Sequence, residues 1–390
     1  MAIEGRGDSV KGGKIRLGMI GGGEGAFIGA VHRLAARMDG HYDLVAGALS
    51  STPEKARRSG EALGLAPDRS YDDYQSMAKA EAARADGVEA VAIVTPNHAH
   101  IGPTLAFLNA GIHVICDKPL ALSLAEGREM AAAVKASGRI FALTHNYTGY
   151  PLVRRAREMA QDGELGELRL VQVEYPQDWL TVATEKTGNK QAEWRTDPKR
   201  SGAGGALGDI GTHAYNLADY VSGLELLELA ADLSSFGEGR ALDDNVQMML
   251  RYKNGARGSL WVSQVAPGNE NGLTLRVYGT KGGIRWVQTN PNELFYSPFG
   301  ESTRTLTRGG PGSGEAAARV TRVPAGHPEG YLEGFANIYS EVAHAIRAAR
   351  TGDKVPEGVQ FPTIEDGIKG LAFVEAAVES SRGNGKWVKV

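Results

Sequence analysis

Asp117, Lys118 and Pro119 close an apolar run, HVICDKPLAL, and Asp209 and His213 stand four residues apart in GGALGDIGTHAYNLADYV. An ammonium group, with a carboxylate and an imidazole on one helical face, can move a proton on or off a hydroxyl or carbonyl oxygen. Near the N-terminus, GMIGGGEGAF adds a glycine-rich turn of the kind that holds a dinucleotide, which brings hydride transfer into the expected chemistry. Each feature also has a plainer role. A lysine at a strand end is commonly just solvated, and an Asp–His pair can staple a helix. A zinc site would need a third ligand, and the other histidines are scattered along the chain, so no metal is expected.

Gly21, Gly23 and Ala26 fit G-x-G-x-x-A, directly after a predicted strand and opening a predicted helix. With Glu24, Gly25 and Phe27 they form the expected pyrophosphate turn, where glycines let the ligand approach the backbone and the helix start supplies unpaired N–H groups. The second strand ends Leu49, Ser50, Ser51, Thr52, without the acid that usually binds the adenosine ribose. Ser50 and Ser51 can bind ribose hydroxyls or, with Lys55 or Arg57, a 2'-phosphate, so both NAD and NADP stay open as cofactors. TPNHAH follows the apolar strand VAIV at the carboxyl end of the sheet. Thr95, Pro96, Asn97 and His100 are therefore expected to face the cofactor, although a Pro-Asn turn capping the next helix explains the same residues. Asp117, Lys118 and Asn146, after the next two strands, complete the expected cofactor contacts. Trp179, Trp194, Arg195 and Tyr215 are candidates for the substrate side with Asp209 and His213, because aromatic faces stack on sugar C–H surfaces and a guanidinium holds an acidic substituent.

These groups need two kinds of scaffold. From Lys14 to about residue 145 short apolar runs alternate with amphipathic helices: IRLGMI, YDLVAGAL, VEAVAIVT, IHVICD and RIFALTHN are strands, and the segments between them are helical. That rhythm predicts a doubly wound parallel sheet, a Rossmann domain over 14–145. From 146 to 390 the runs alternate apolar and polar with turn signals between them, which predicts an α+β domain with a large, mainly antiparallel open sheet. Within it 298–328 reads as a long loop, and 331–350 and 363–381 as helices. Residues 1–13 are polar and glycine-rich and read as a disordered tail.

At 390 residues and 42% hydrophobic positions the chain can build two cores. A net charge of −3 with no basic run argues against nucleic-acid binding. No window approaches the roughly 18 apolar residues of a membrane span, and the start lacks a secretory apolar core, so a cytoplasmic protein without a membrane partner is expected. The single cysteine, Cys116, excludes an internal disulfide and reads as a buried small hydrophobe.

Taken together, the glycine turn, TPNHAH, the DKP tripeptide, GGALGDIGTH and TIEDGIKGLAFVEAAVESS resemble the glucose-fructose oxidoreductase / inositol dehydrogenase / rhizopine-catabolism (Gfo/Idh/MocA) family over nearly all of the chain after residue 14. The resemblance implies a Rossmann domain followed by an α/β domain with an open sheet often used for oligomerisation, hence a homodimer or homotetramer. It implies that Lys118 supports catalysis beside the nicotinamide, with Asp117 in place of the family's usual Glu. The family's D-x-G-x-H pattern falls on Asp209, Gly211 and His213, implying His213 as the proton-transfer group and Asp209 as its substrate-binding partner. The expected activity is hydride transfer between NAD(P) and a hydroxyl of a sugar, sugar derivative or cyclic polyol. Two alternatives remain: a glycosidase that oxidises its sugar transiently and eliminates the aglycone, and a sugar-sensing regulator without catalysis.

Overall fold

Apolar strands with both faces buried make up the first sheet of the computed structural model, which describes residues 13–390; most of the expected tail lies outside the described residues. In chain order the elements are β1 (Ile15–Gly21), α1 (Phe27–Met38), β2 (Tyr42–Ala48), α2 (Pro53–Ala62), α3 (Tyr74–Ala82), β3 (Ala90–Val94), α4 (Ile101–Asn109), β4 (His113–Cys116), α5 (Leu124–Ser137) and β5 (Phe141–Leu143). The strands are parallel in the order β2-β1-β3-β4-β5. Every residue of β3 and β4 is buried, as a sheet covered by helices on both faces requires. Outside β2, a single parallel bridge joins Gly47 and Ser70. Strands are added to one side of β1 as far as β2 and to its other side from β3 onward, so the crevice at the carboxyl ends of β1 and β3 is the switch point where such folds bind ligands.

The second unit opens with α6 (Pro151–Gln161), then β6 (Leu168–Pro176), α7 (Lys190–Arg195), α8 (Pro198–Ser201), α9 (Thr212–Ser222), β7 (Leu226–Ser234), β8 (Asn245–Tyr252), β9 (Arg257–Ser263), β10 (Thr274–Gly279), β11 (Gly282–Val287), β12 (Glu293–Pro298), β13 (Arg304–Thr307) and α10 (Gly314–Val320). Its sheet has nine strands, antiparallel except for the β6–β9 pair. Alternation along β8 sets Val246, Met248 and Leu250 inward and leaves Met249 exposed. Helices α6 and α9 pack against this sheet. On the face bearing Met249, Leu170 and its cross-strand neighbour Tyr278 are exposed too.

The expected long loop over 298–328 is more ordered than its composition implied. β13 pairs with β12, and α10 buries Ala317 and Val320 against α6. Arg308, buried between these pieces, donates to the Asn292 side chain and to the Val323 and Pro324 carbonyls, and pairs with buried Glu329 at 3.0 Å. One arginine thereby satisfies the polar backbone of a glycine-rich stretch.

Domain organisation differs from the sequence expectation that gave all of 146–390 to one domain. After α10 the chain returns: α11 (Tyr331–Thr351) belongs to the first unit, which comprises the chain to Ala121, then Ala125–Gly149 and Tyr331–Ile368. The second unit takes Leu122–Leu124, Tyr150–Gly330 and Lys369–Val390, so α12 (Ile364–Arg382) begins in one unit and ends in the other, before β14 (Val388–Lys389). The cause is an apolar face. Phe335, Ile338, Tyr339, Val342 and Ile346 of α11 join the core with Val31 and Ala35 of α1 and the β1 strand. Burying a side chain of this size contributes about 1.5–3 kcal/mol. Among the described residues no helix is long and apolar enough to cross a membrane.

Candidate active site

The glycine turn is built for close approach. Gly23 donates its N–H to the Leu49 carbonyl at 3.1 Å, and a Cβ there would lie 2.6 Å from that oxygen. A Cβ on Gly29, one turn into α1, would strike the Gly22 backbone, so helix and strand pack without side chains between them. Gly25 has φ +76° and nothing within 4 Å of its would-be Cβ, which leaves the space beside the turn open. Glu24 is exposed, its N–H bound to Ser59 Oγ and its carboxylate 3.4 Å from Arg58. Ala26 is the N-cap of α1 and Phe27, two-thirds exposed, its first residue. After β2, Ser50 accepts from the Thr52 N–H and Ser51 is exposed. Two of the nearby cations face carboxylates: Arg57 meets Asp72 at 3.5 Å, and Arg58 meets Glu54 at 2.9 Å.

Across the switch point, a Cβ on Gly21 would sit 3.0 Å from Thr95 Cγ2, which brings TPNHAH beside the glycine turn. Thr95 Oγ1 donates to the Ala99 carbonyl, Pro96 is partly exposed and Asn97 is buried. His100 is fully buried, with its ring nitrogens against two backbone carbonyls, of Pro119 and Thr95. At the end of β4, Asp117 Oδ1 accepts from the Lys118 N–H at 2.9 Å and the Thr144 hydroxyl at 3.0 Å. Burial pushes the Asp117 carboxyl up, but His32, 3.8 Å away, and the nearby Lys118 and His100 outweigh this and hold it well below the usual carboxylate range. Asp117 is therefore an ionised anchor under the Lys118 backbone. His32 in turn meets the Tyr339 hydroxyl of α11 at 2.8 Å. His145 is buried, and its pKa is pushed down to about 3 by burial and then by Lys118, so it stays neutral. Beside it, Asn146 is 1% exposed and its amide nitrogen has no hydrogen-bond partner. Burial pushes the Cys116 thiol up, leaving it a core residue rather than a nucleophile.

In the second unit, Asp209 and His213 do not lie on one uninterrupted α-helix. Leu207–Gly211 is a π-helical turn that leads into α9. A π turn carries one residue more per hydrogen-bonded ring, so the pair spans a junction between two helical geometries. Asp243 holds this turn, its carboxylate accepting from the Gly205 N–H at 2.7 Å and the Leu207 N–H at 2.8 Å. Asp209 Oδ2 receives Arg195 Nε at 3.1 Å and Gln264 Nε2 at 3.0 Å. His213 is 8% exposed on the first turn of α9. Trp194 lies under the Arg195 guanidinium at 4.2 Å and bonds Gln191. Trp179 donates to Gln177, and Tyr215 stacks on Phe373 at 4.4 Å. Arg195, Asp209 and Trp194 are thus brought together, while Tyr215 is committed to packing. Among the described residues no three His, Cys, Asp or Glu side chains gather as a metal site.

Two family models divide the chain along the same lines: an oxidoreductase-family model with an NAD-binding Rossmann fold matches residues 15–145, and a GFO/IDH/MocA C-terminal domain matches 153–285. A crystal structure of an inositol dehydrogenase homologue from Azotobacter vinelandii, complexed with NADH and myo-inositol, superposes with a TM-score of 0.90 at 36% identity over 97% of this chain and 98% of that one. The chain belongs to the Gfo/Idh/MocA oxidoreductase family. An oxidoreductase from Sinorhizobium meliloti has 58% identity to this chain over 96% of it and 99% of its own chain, with a TM-score of 0.88. Levoglucosan dehydrogenase from Pseudarthrobacter phenanthrenivorans has 31% identity over 310 residues, 72% of this chain and 75% of its own.

The residues present in this Gfo/Idh/MocA oxidoreductase fit NAD. The glycine turn leaves the backbone bare where a pyrophosphate must approach, and the buried Asn146 nitrogen is a donor in want of an acceptor. Sequence reasoning missed the π turn, Asp243, Gln264, His32 and His145. The last two stand in motif flanks, but nothing in their spacing indicates that folding brings them to Asp117 and Lys118.

Proposed function

We propose that this NAD-binding oxidoreductase oxidises a hydroxyl of a cyclic polyol or related sugar, with Lys118, His213 and Asp209 as its working groups. The observation that carries the reading is one chain holding a lysine on an ionised, partly buried carboxylate anchor beside the dinucleotide switch point, and an aspartate–histidine pair on a π-to-α turn. The likeness to a protein crystallised with myo-inositol and to levoglucosan dehydrogenase supports a ring-shaped, hydroxyl-rich substrate. NAD, when bound, supplies the acceptor for the hydride that leaves the carbinol carbon. His213 takes the hydroxyl proton at its ring nitrogen. Lys118 donates a hydrogen bond to the same oxygen and stabilises the negative charge that develops there. Asp209, oriented by Arg195 and Gln264, accepts from a neighbouring substrate hydroxyl and fixes which carbon reacts.

A panel of inositols, aldoses, anhydrosugars and glycosides assayed with NAD and with NADP, following both absorbance and products, tests this. NADH formation from at least one cyclic polyol is expected, with NAD preferred because Arg57 and Arg58, two of the three cations after β2, already face carboxylates. Glycoside cleavage without net NADH would contradict the dehydrogenase reading, as would no turnover across the panel.

A further inference from the structure

One buried side chain joins the turns that follow β3 and β4. His100 has no exposed surface; its Nδ1 lies 2.8 Å from the Pro119 carbonyl oxygen and its Nε2 2.9 Å from the Thr95 carbonyl oxygen. Carbonyl oxygens only accept hydrogen bonds. A neutral imidazole has one N–H, so it can serve one contact and must turn a lone pair toward the other oxygen at hydrogen-bond distance with no hydrogen between them. An imidazolium serves both.

Its surroundings bear on the charge. Burial opposes the cation and draws the ring below the ordinary histidine value, while Asp117 and the backbone of Thr95, Pro119 and Leu120 act the other way. Burial affects any ionised group, whereas two short contacts to acceptors on opposite sides of the ring are specific to the doubly protonated form. The charged or titratable groups of the network are Cys116, Asp117 and Lys118 at the end of β4, His145 after β5 and His32 of α1, with Tyr339 of α11 behind His32. His98, on the same turn as His100, is exposed. Asp117 remains ionised, so a buried cation here has a fixed counter-charge, the condition under which a buried ion persists.

We propose that His100 is held as an imidazolium that donates to both carbonyls, clamping the turn that bears Lys118 to the turn after β3, and is a positioning residue for the Lys118 ammonium. The sequence reading had His100 as a cofactor contact; here it acts on the backbone instead. The inference rests on the reading of Lys118 as the group that meets the substrate oxygen.

Long-range 1H–15N correlation spectra of the full chain, labelled with 15N-histidine, test the clamp without any substrate. At pH 7.5, one of the nine histidines is expected to show both ring nitrogens protonated, with N–H protons slow to exchange, and His100→Phe should remove that signal. A His100 ring with a single N–H between pH 6 and 8 overturns the proposal. His100→Phe keeps the ring volume but neither donor, and should lower kcat about 30-fold, in line with the effect of displacing a reacting group by about 1 Å. NAD affinity should stay within about twofold of wild type. Unchanged kcat in folded His100→Phe overturns the positioning role, and if that variant fails to fold, the wild-type spectrum decides alone. Lys118→Ala is measured in parallel. If it loses turnover while His100→Phe does not, the clamp fails and the Lys118 reading stands; if it keeps turnover, both fall.

Discussion

Arg195, expected on the substrate side, has contacts in the fold that give it a further task. A guanidinium among aromatic residues suggests a hold on an acidic substrate, but its Nε is 3.1 Å from Asp209, its terminal nitrogen 2.6 Å from Gln191 Oε1, and its face lies on Trp194. Its Nε is directed at aiming the Asp209 carboxylate. Arg195→Met should therefore lower kcat/KM for the polyol about tenfold, and Asp209→Asn at least as much, with NAD affinity unchanged in both; steady-state kinetics with titrated NAD would show it. A selective loss of acidic substrates in Arg195→Met would restore the direct role. Lys118, Asp209 and His213 could be named as candidates because their chemical types and short spacings carry information. Gln264 was not, because it reaches Asp209 from 55 positions away, and such a partner is set by strand pairing rather than by local pattern.

At the scale of elements, the Rossmann half was legible through its period: buried strands, amphipathic helices and a glycine turn agree with one another at each level. The π turn before α9 was not, since a helical repeat in sequence does not reveal an added residue held in place by Asp243. Strand β13 and helix α10 were hidden by glycine-rich flanks whose polar backbone is satisfied by buried Arg308. Helix α11 was placed by sequence order in the wrong unit because an apolar face does not state its partner. β4 carries a pH signature of its own. His113 Nδ1 accepts the Ile140 N–H at 2.8 Å, and burial followed by the charge of Arg139 pushes its pKa down to about 4. Because the folded value is depressed, the unfolded chain binds the extra proton first. The stability contribution is complete above pH 6.5 and is lost as pH falls toward 4. His113→Asn keeps an acceptor that does not titrate. Urea unfolding of wild type and variant at pH 7 and pH 5 should show their stability difference change by about 2 kcal/mol, the wild type losing more at pH 5. An unchanged difference would mean that His113 is protonated in the folded state.

For the whole molecule, the two family models and the two units agree on a nucleotide-binding part followed by a sheet-bearing part, with α11 the exception that ties the end of the chain to its beginning. Lys118 belongs to the first unit, and Asp209 and His213 to the second, so the proposed working groups come from both parts of the chain. The most direct measurement is single-turnover NADH formation by wild type, Lys118→Ala and His213→Ala, each first saturated with NAD and then mixed with the polyol selected from the panel. The account predicts that both variants bind NAD within about threefold of wild type and form NADH slower by about 10²–10⁴-fold, the range for loss of a general acid–base group. Either variant forming NADH within about threefold of the wild-type rate would contradict it.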